Sequence, residues 1–162
     1  KSTGSMRFWD SSAIVPLVVE EAATARMQTV YRGDPVIFAW WGTTVECTSA
    51  LSRLERDGEL DAAAGAAIER LRALQRRWRE VQPLETLRDM APRLLRVHPL
   101  RAADSFQLAA AILASENRPV SLDFVCLDAR LSLDLYRAAI SPRRVHRLPR
   151  RMRERAMFPC AD

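Results

Sequence analysis

The sequence predicts an α/β fold with a central, mainly parallel sheet flanked by helices. Two observations carry that prediction. Short, mostly apolar runs, such as Val36-Ile37-Phe38-Ala39-Trp40 and Phe124-Val125-Cys126-Leu127, alternate with longer helical stretches. Those runs do not alternate polar with apolar residues, so they suit strands covered on both faces and linked by crossover helices.

Met6 to Asp10 reads as the first strand, and a helix starting near Ser12 carries Ile14, Val15, Leu17 and Val18. A second helix covers about Glu21 to Arg32, where Gly33-Asp34-Pro35 breaks it. The Val36–Trp40 run is the next strand. Thr43 opens a helix that ends at Asp57-Gly58, and a long Ala-rich helix from about Leu60 to Arg77 makes a hairpin with it. A short strand is expected within Trp78 to Leu84, then a helix from Glu85 to Val97 made irregular by Pro92. Past Pro99, a helix covers Arg101 to Ser115 and a strand covers Ser121 to Leu127. A helix from Ala129 to Ala139 and an edge strand from Arg144 to Leu148 complete the expected order.

The chain has 162 residues, 48 % of them hydrophobic, enough for one ordinary core. Residues 1–5 (Lys-Ser-Thr-Gly-Ser) precede the first Met and read as an expression scar; 6–149 are the expected domain and 150–162 an Arg-rich tail. Every basic residue after Lys1 is arginine, histidines aside, and the formal net charge is +5. Between Arg143 and Arg155 stand seven arginines and one acid, Glu154. Arg143, Arg144, Arg150 and Arg151 are therefore candidate phosphate contacts, although a solvated tail explains the same run. Cys47, Cys126 and Cys160 lack metal-type spacing and are expected as reduced thiols. With no signal peptide and no apolar stretch of spanning length, a cytoplasmic protein without a membrane role is expected.

Four acids stand where a capping role and a chemical role both fit. Asp10 and Asp128 end strands, where α/β sheets bind ligands but where an Asp also caps the following helix. Glu46 completes a Thr43-Thr44-Val45-Glu46 capping box. Asp104 shares a helical stripe with Leu108 and Ile112, an expensive place for an unpaired carboxylate, although a first-turn acid also suits the helix dipole. Together, the four form an all-oxygen ligand set of the kind that Mg²⁺ and Mn²⁺ prefer, for one or two ions per site.

The segments Phe8-Trp9-Asp10-Ser11-Ser12-Ala13, Thr43-Thr44-Val45-Glu46, Leu100-Arg101-Ala102-Ala103-Asp104-Ser105 and Val125-Cys126-Leu127-Asp128-Ala129-Arg130-Leu131 resemble the PIN-domain ribonucleases. The resemblance is strongest to the VapC-type toxins of bacterial toxin–antitoxin pairs, and it covers about Met6 to Pro149. It implies a PIN-like three-layer fold and metal-dependent endonucleolytic cleavage of RNA, leaving a 5′-phosphate and a 3′-hydroxyl. It further implies Asp10 and Asp104 as direct ligands of Mg²⁺ or Mn²⁺, with Glu46 and Asp128 bound directly or through water. Ser12 and Thr43 take supporting places, and a cognate antitoxin and a homodimer are the implied protein partners. Cys126 departs from the Ser or Thr that many relatives carry two residues before the last Asp.

A receiver or haloacid-dehalogenase-like domain also ends its first strand in Asp, but both need a lysine that this chain lacks beyond Lys1. A PIN-like module that binds RNA or a partner without cutting is the remaining alternative. RNA cleavage in the presence of metal separates the two readings.

Overall fold

The strands and helices alternate as the apolar runs require. The computed structural model describes residues 6–60, 63–116, 122–128 and 131. Residues 1–5, the predicted edge strand, Cys160 and the arginine-rich segment containing Arg143, Arg144, Arg150 and Arg151 lie outside these residues. The predicted Ala129–Ala139 helix does too, apart from Leu131. In chain order, the strands are β1 (Met6–Trp9), β2 (Phe38–Trp40), β3 (Arg79–Val81) and β4 (Leu122–Val125). The helices are α1 (Ser11–Val18), α2 (Thr24–Gly33), α3 (Thr43–Arg56), α4 (Ala64–Gln75), α5 (Glu85–Val97) and α6 (Ala102–Ala114).

The described strands form one parallel sheet in the order β3-β2-β1-β4. Pairing runs outward from β1 through β2 to β3, and the chain then returns to place β4 on the other side of β1. That reversal puts the topological switch point between the carboxyl ends of β1 and β4, where open α/β sheets leave a crevice.

The pleat divides the core between the two faces. Trp9, Ala39 and Val125 face a core built from α1 to α4, with Ile14, Met27, Cys47, Leu51, Ala67 and Leu71. Phe8, Phe124 and Cys126 face the opposite core, built from α5 and α6 with Leu87, Ala91 and Leu108 to Ala111. Phe38 and Trp40 pack on this second core, so β2 alternates in step with β1. The alanines of α6 allow the helix to lie close to the sheet. Both faces are covered, which is why β1, β2 and β4 read as mostly apolar runs, broken by Arg7 in β1 and Asp123 in β4.

Two local details differ from the sequence reading. Pro92 lies inside α5 and the helix continues through it. Its ring is on the exposed side, where water can serve the carbonyl that loses its donor. Second, α3 is capped by Gly42 with no side-chain cap bond, so the Thr43–Glu46 capping box does not form.

Candidate active site

Asp10 follows β1 directly and divides its two oxygens between two tasks. Oδ2 caps α1, accepting the Ser12 amide at 2.9 Å and the Ser12 hydroxyl. Oδ1 points to α6 and accepts Nε2 of Gln107 at 3.0 Å. The capping and chemical readings of Asp10 are therefore compatible.

The same Gln107 nitrogen donates to Glu46 Oε2 at 2.8 Å. Glu46 occupies the first turn of α3, and its carboxylate turns to the sheet end instead of back to the Thr43 amide. Gln107 is only 1 % exposed and its Oε1 has no hydrogen-bond partner. Thr43 is fully buried and its hydroxyl likewise draws no hydrogen bond.

Ser12 joins α1 to the end of β4. Its hydroxyl oxygen accepts the Leu127 amide at 3.0 Å and the Asp128 amide at 3.3 Å. Cys126 Sγ lies 3.7 Å from Asp10 Oδ2 and 3.7 Å from Ser12 Oγ, in the position where the resemblance expects a hydroxyl. Asp128 is exposed, and its Oδ1 accepts the Leu131 amide at 3.1 Å, as a capping residue would. Asp104 lies in the first turn of α6, half-buried, with Oδ2 3.4 Å from the Arg101 amide. Asp10 and Glu46 are thus joined through Gln107, and the Ser12 clamp holds the Asp128 backbone beside Asp10. Asp104 stands one helical turn before Gln107 and bonds the start of its own helix.

Both joined acids hold their protons more tightly than usual. Burial raises Asp10 above its ordinary value; the Ser12 hydroxyl and amide oppose the shift, and the Asp128 charge adds to it. For Glu46 burial is again the main cause, followed by the charge on Asp10. Hydrogen bonding from Ser11 and Gln107 lowers it, and the Trp40 indole N–H steadies the charged form without reaching good hydrogen-bond geometry. The groups among the described residues that offset these charges are neutral donors. Burial also pushes the Cys47 and Cys126 thiols up, so both stay protonated and unsuited to nucleophilic work.

Trp40, beside Glu46, belongs to an aromatic cluster. Trp40 stacks on Phe106 of α6 with ring centres 5.4 Å apart and planes 7° from parallel. A Cβ on Gly42 would come within 2.4 Å of the Trp40 ring, so this contact requires glycine. Trp41 meets Trp40 edge-on at 6.0 Å and is 49 % exposed.

Gln107 and the tryptophan pair escaped the sequence reading. The available signal for Gln107 was a lone amide in the otherwise apolar run from Phe106 to Ile112, one turn beyond Asp104.

No family model and no curated protein matches this sequence. Solved structures do match its fold. The VapC20 toxin of Mycobacterium tuberculosis, described as cleaving the sarcin–ricin loop, superposes with a TM-score of 0.60 at 16 % identity, over 78 % of this chain and 93 % of that one. The fold is PIN-like. A chain of a toxin–antitoxin complex from Klebsiella pneumoniae superposes with a TM-score of 0.58 at 12 % identity, covering 88 % of this chain and 96 % of that one. The PAE2754 protein of Pyrobaculum aerophilum gives 0.54 at 20 % identity, over 80 % and 78 % of the two chains. The three-layer PIN-like architecture implied by the sequence resemblance is the architecture observed.

Proposed function

We propose that this chain is a Mg²⁺- or Mn²⁺-dependent endoribonuclease and the toxin of a toxin–antitoxin pair. The observation that carries the reading is the joined pair Asp10 and Glu46, the first buried and the second half-buried at the carboxyl end of the sheet, with neutral donors offsetting them among the described residues. Two carboxylates held together in this way favour a cation between or beside them, because it would relieve both burial and mutual repulsion. The PIN-like fold shared with VapC20 and with the Klebsiella complex supports the same reading.

Among the described residues, no three His, Cys, Asp or Glu side chains are arranged to hold a metal ion, and the Gln107 amide stands between the two acids. The donor chemistry nevertheless fits a hard divalent cation, since the converging acceptors are carboxylate oxygens and the amide beside them carries an orphaned oxygen. Asp10 and Asp104 would hold the ion, with Glu46 and Asp128 completing the set directly or through water. When bound, such an ion supplies a nucleophilic water at neutral pH and offsets charge on the scissile phosphate.

The chain's own residues contribute orientation and desolvation. Ser12 fixes the Asp10 carboxylate and the backbone of Leu127 and Asp128 together. Cys126 stands beside Asp10 and Trp40 beside Glu46, and burial among such neighbours removes part of the water from both acids. The substrate would be RNA, and the reading includes a cognate antitoxin and a homodimer; a single monomeric species in sedimentation at micromolar concentration removes the dimer.

The deciding experiment incubates the purified protein with a mixed RNA pool. Cleavage should require Mg²⁺ or Mn²⁺, stop with EDTA, and leave 5′-phosphate ends. Full activity in EDTA overturns the metal-dependent mechanism, and RNA that is bound but uncut with either metal favours a non-cleaving binding module.

A further inference from the structure

We infer that Gln107 is a switching ligand: its amide bridges Asp10 and Glu46 through Nε2, and a half-turn of that amide presents Oε1 to a divalent cation on the same acids. The inference rests on the proposed cation-dependent function and adds to it a residue outside the four acids.

Gln107 is a costly choice in its place. It lies on α6 between Phe106 and Leu108, nearly fully buried, where an apolar side chain would satisfy the packing. A buried amide is retained where its polar atoms have partners. Here the nitrogen end has two, Asp10 Oδ1 at 3.0 Å and Glu46 Oε2 at 2.8 Å. The oxygen end has none among the described residues. An amide that served only to bridge two carboxylates would still leave half of its hydrogen-bonding capacity wasted.

A cation reverses this account. The carboxylate oxygens that accept Nε2 are the ones a shared ion would need, and an N–H donor cannot face a cation. Rotation about the last side-chain torsion exchanges the amide nitrogen and oxygen without moving α6, and this torsion is soft. After the half-turn, the orphaned oxygen gains a partner. Amide carbonyls belong with carboxylates among the hard ligands that suit Mg²⁺ and Mn²⁺. The amide then adds an oxygen to those of the acids, which is consistent with the absence of a three-acid group in metal-holding geometry among the described residues.

Three roles for Gln107 predict three different outcomes. A switching ligand helps to hold the ion, a plug competes with it, and a purely structural bridge is indifferent to it. The test measures Mn²⁺ binding calorimetrically, without RNA, for the wild type, Gln107→Leu and Gln107→Glu, with thermal melts in EDTA. Gln107→Leu should bind Mn²⁺ about tenfold more weakly than the wild type. Gln107→Glu should melt lower in EDTA, having three carboxylates together, and should gain more from Mn²⁺ than the wild type does. A measurement on the wild type alone keeps the inference testable if either variant fails to fold. The side-chain NH₂ resonances of Gln107 should move on saturation with diamagnetic Mg²⁺, as the two carboxylate bonds break. Equal or tighter Mn²⁺ binding by Gln107→Leu, or unmoved NH₂ resonances in Mg²⁺-saturated protein, overturns the inference and leaves the proposed function standing. A wild type that binds neither ion overturns both.

Discussion

Asp10 sets the protonation behaviour of the site, because it is 5 % exposed and lies beside two other acids. Its folded pKa lies above the ordinary 3.8, and that of Glu46 above the ordinary 4.5, with burial the first cause for each. An acid raised in this way binds its proton more tightly when folded. Its contribution is therefore most favourable below the ordinary value and declines as pH rises from there through the folded pKa. In EDTA, Asp10→Asn should reduce this decline, as read from denaturant unfolding at successive pH values; coincident wild-type and variant profiles would exclude Asp10 as its source. The same comparison separates the two readings of Asp104. Asp104→Asn keeps an oxygen that can accept the Arg101 amide, so its stability cost should stay within about 1 kcal/mol. As a ligand variant it should also lose Mn²⁺-induced stabilisation and reduce cleavage at least about 100-fold, on the scale of losing one electrostatic contact to a transition state. A variant that still cuts and still gains stability from Mn²⁺ removes Asp104 from the site. Asp10, Asp104 and Asp128 stood out in the sequence because a carboxylate at a strand end or on an apolar stripe demands a reason, whereas Glu46 read locally as a cap and joined them only as part of the set. Gln107 did not stand out, because a neutral amide in a helix raises no such demand until its burial is seen.

At the scale of elements, the junction from β2 to α3 sets the site, and it depends on the smallest residue in it. Trp40 lies between Phe106 and Gly42, and its placement fixes where α3 begins and so where Glu46 stands. Gly42→Ala would bring a methyl group within 2.4 Å of the Trp40 ring. The ring cannot move away without disturbing its stack on Phe106, so the substitution should cost about 1–3 kcal/mol. A lower melting temperature, with quenching or shift of tryptophan fluorescence, is the expected result; an unchanged melt and spectrum would show that the junction yields freely. The order of the described elements was legible nearly throughout, because burial on both faces leaves β1, β2 and β4 as mostly apolar runs. The misjudged details were those that tertiary contacts decide. Thr43-Thr44-Val45-Glu46 has the letters of a capping box, yet Glu46 gains more from Gln107 across the sheet end than from its own helix start. Pro92 carries the letters of an interruption, and α5 continues because the proline sits on the exposed side.

For the whole molecule, the main physical tension lies between an acidic site and a polyanionic substrate, which repel unless positive charge lies nearby. The chain carries a formal net charge of +5, with its densest run of arginines between Arg143 and Arg155. The position of that run in space lies outside the described residues, so its role follows from charge alone and was legible only to that extent. An arginine that neutralises a phosphate releases a condensed counterion and steepens the salt dependence of binding, by about 0.7 in the log–log slope for each contact with a single strand. Truncation after Pro149 removes Arg150, Arg151, Arg153 and Arg155. If all four contact RNA, the slope should flatten by close to 3. Binding of a catalytically silenced Asp10→Asn protein to a labelled RNA, measured over a range of salt, isolates this term from cleavage. The truncated protein should weaken most at low salt and converge on the full chain at high salt, where released counterions no longer drive association. Equal slopes for the two proteins would show the tail to be a solvated segment, and the attraction needed to bring RNA to the acids would then have to come from arginines within residues 6–149.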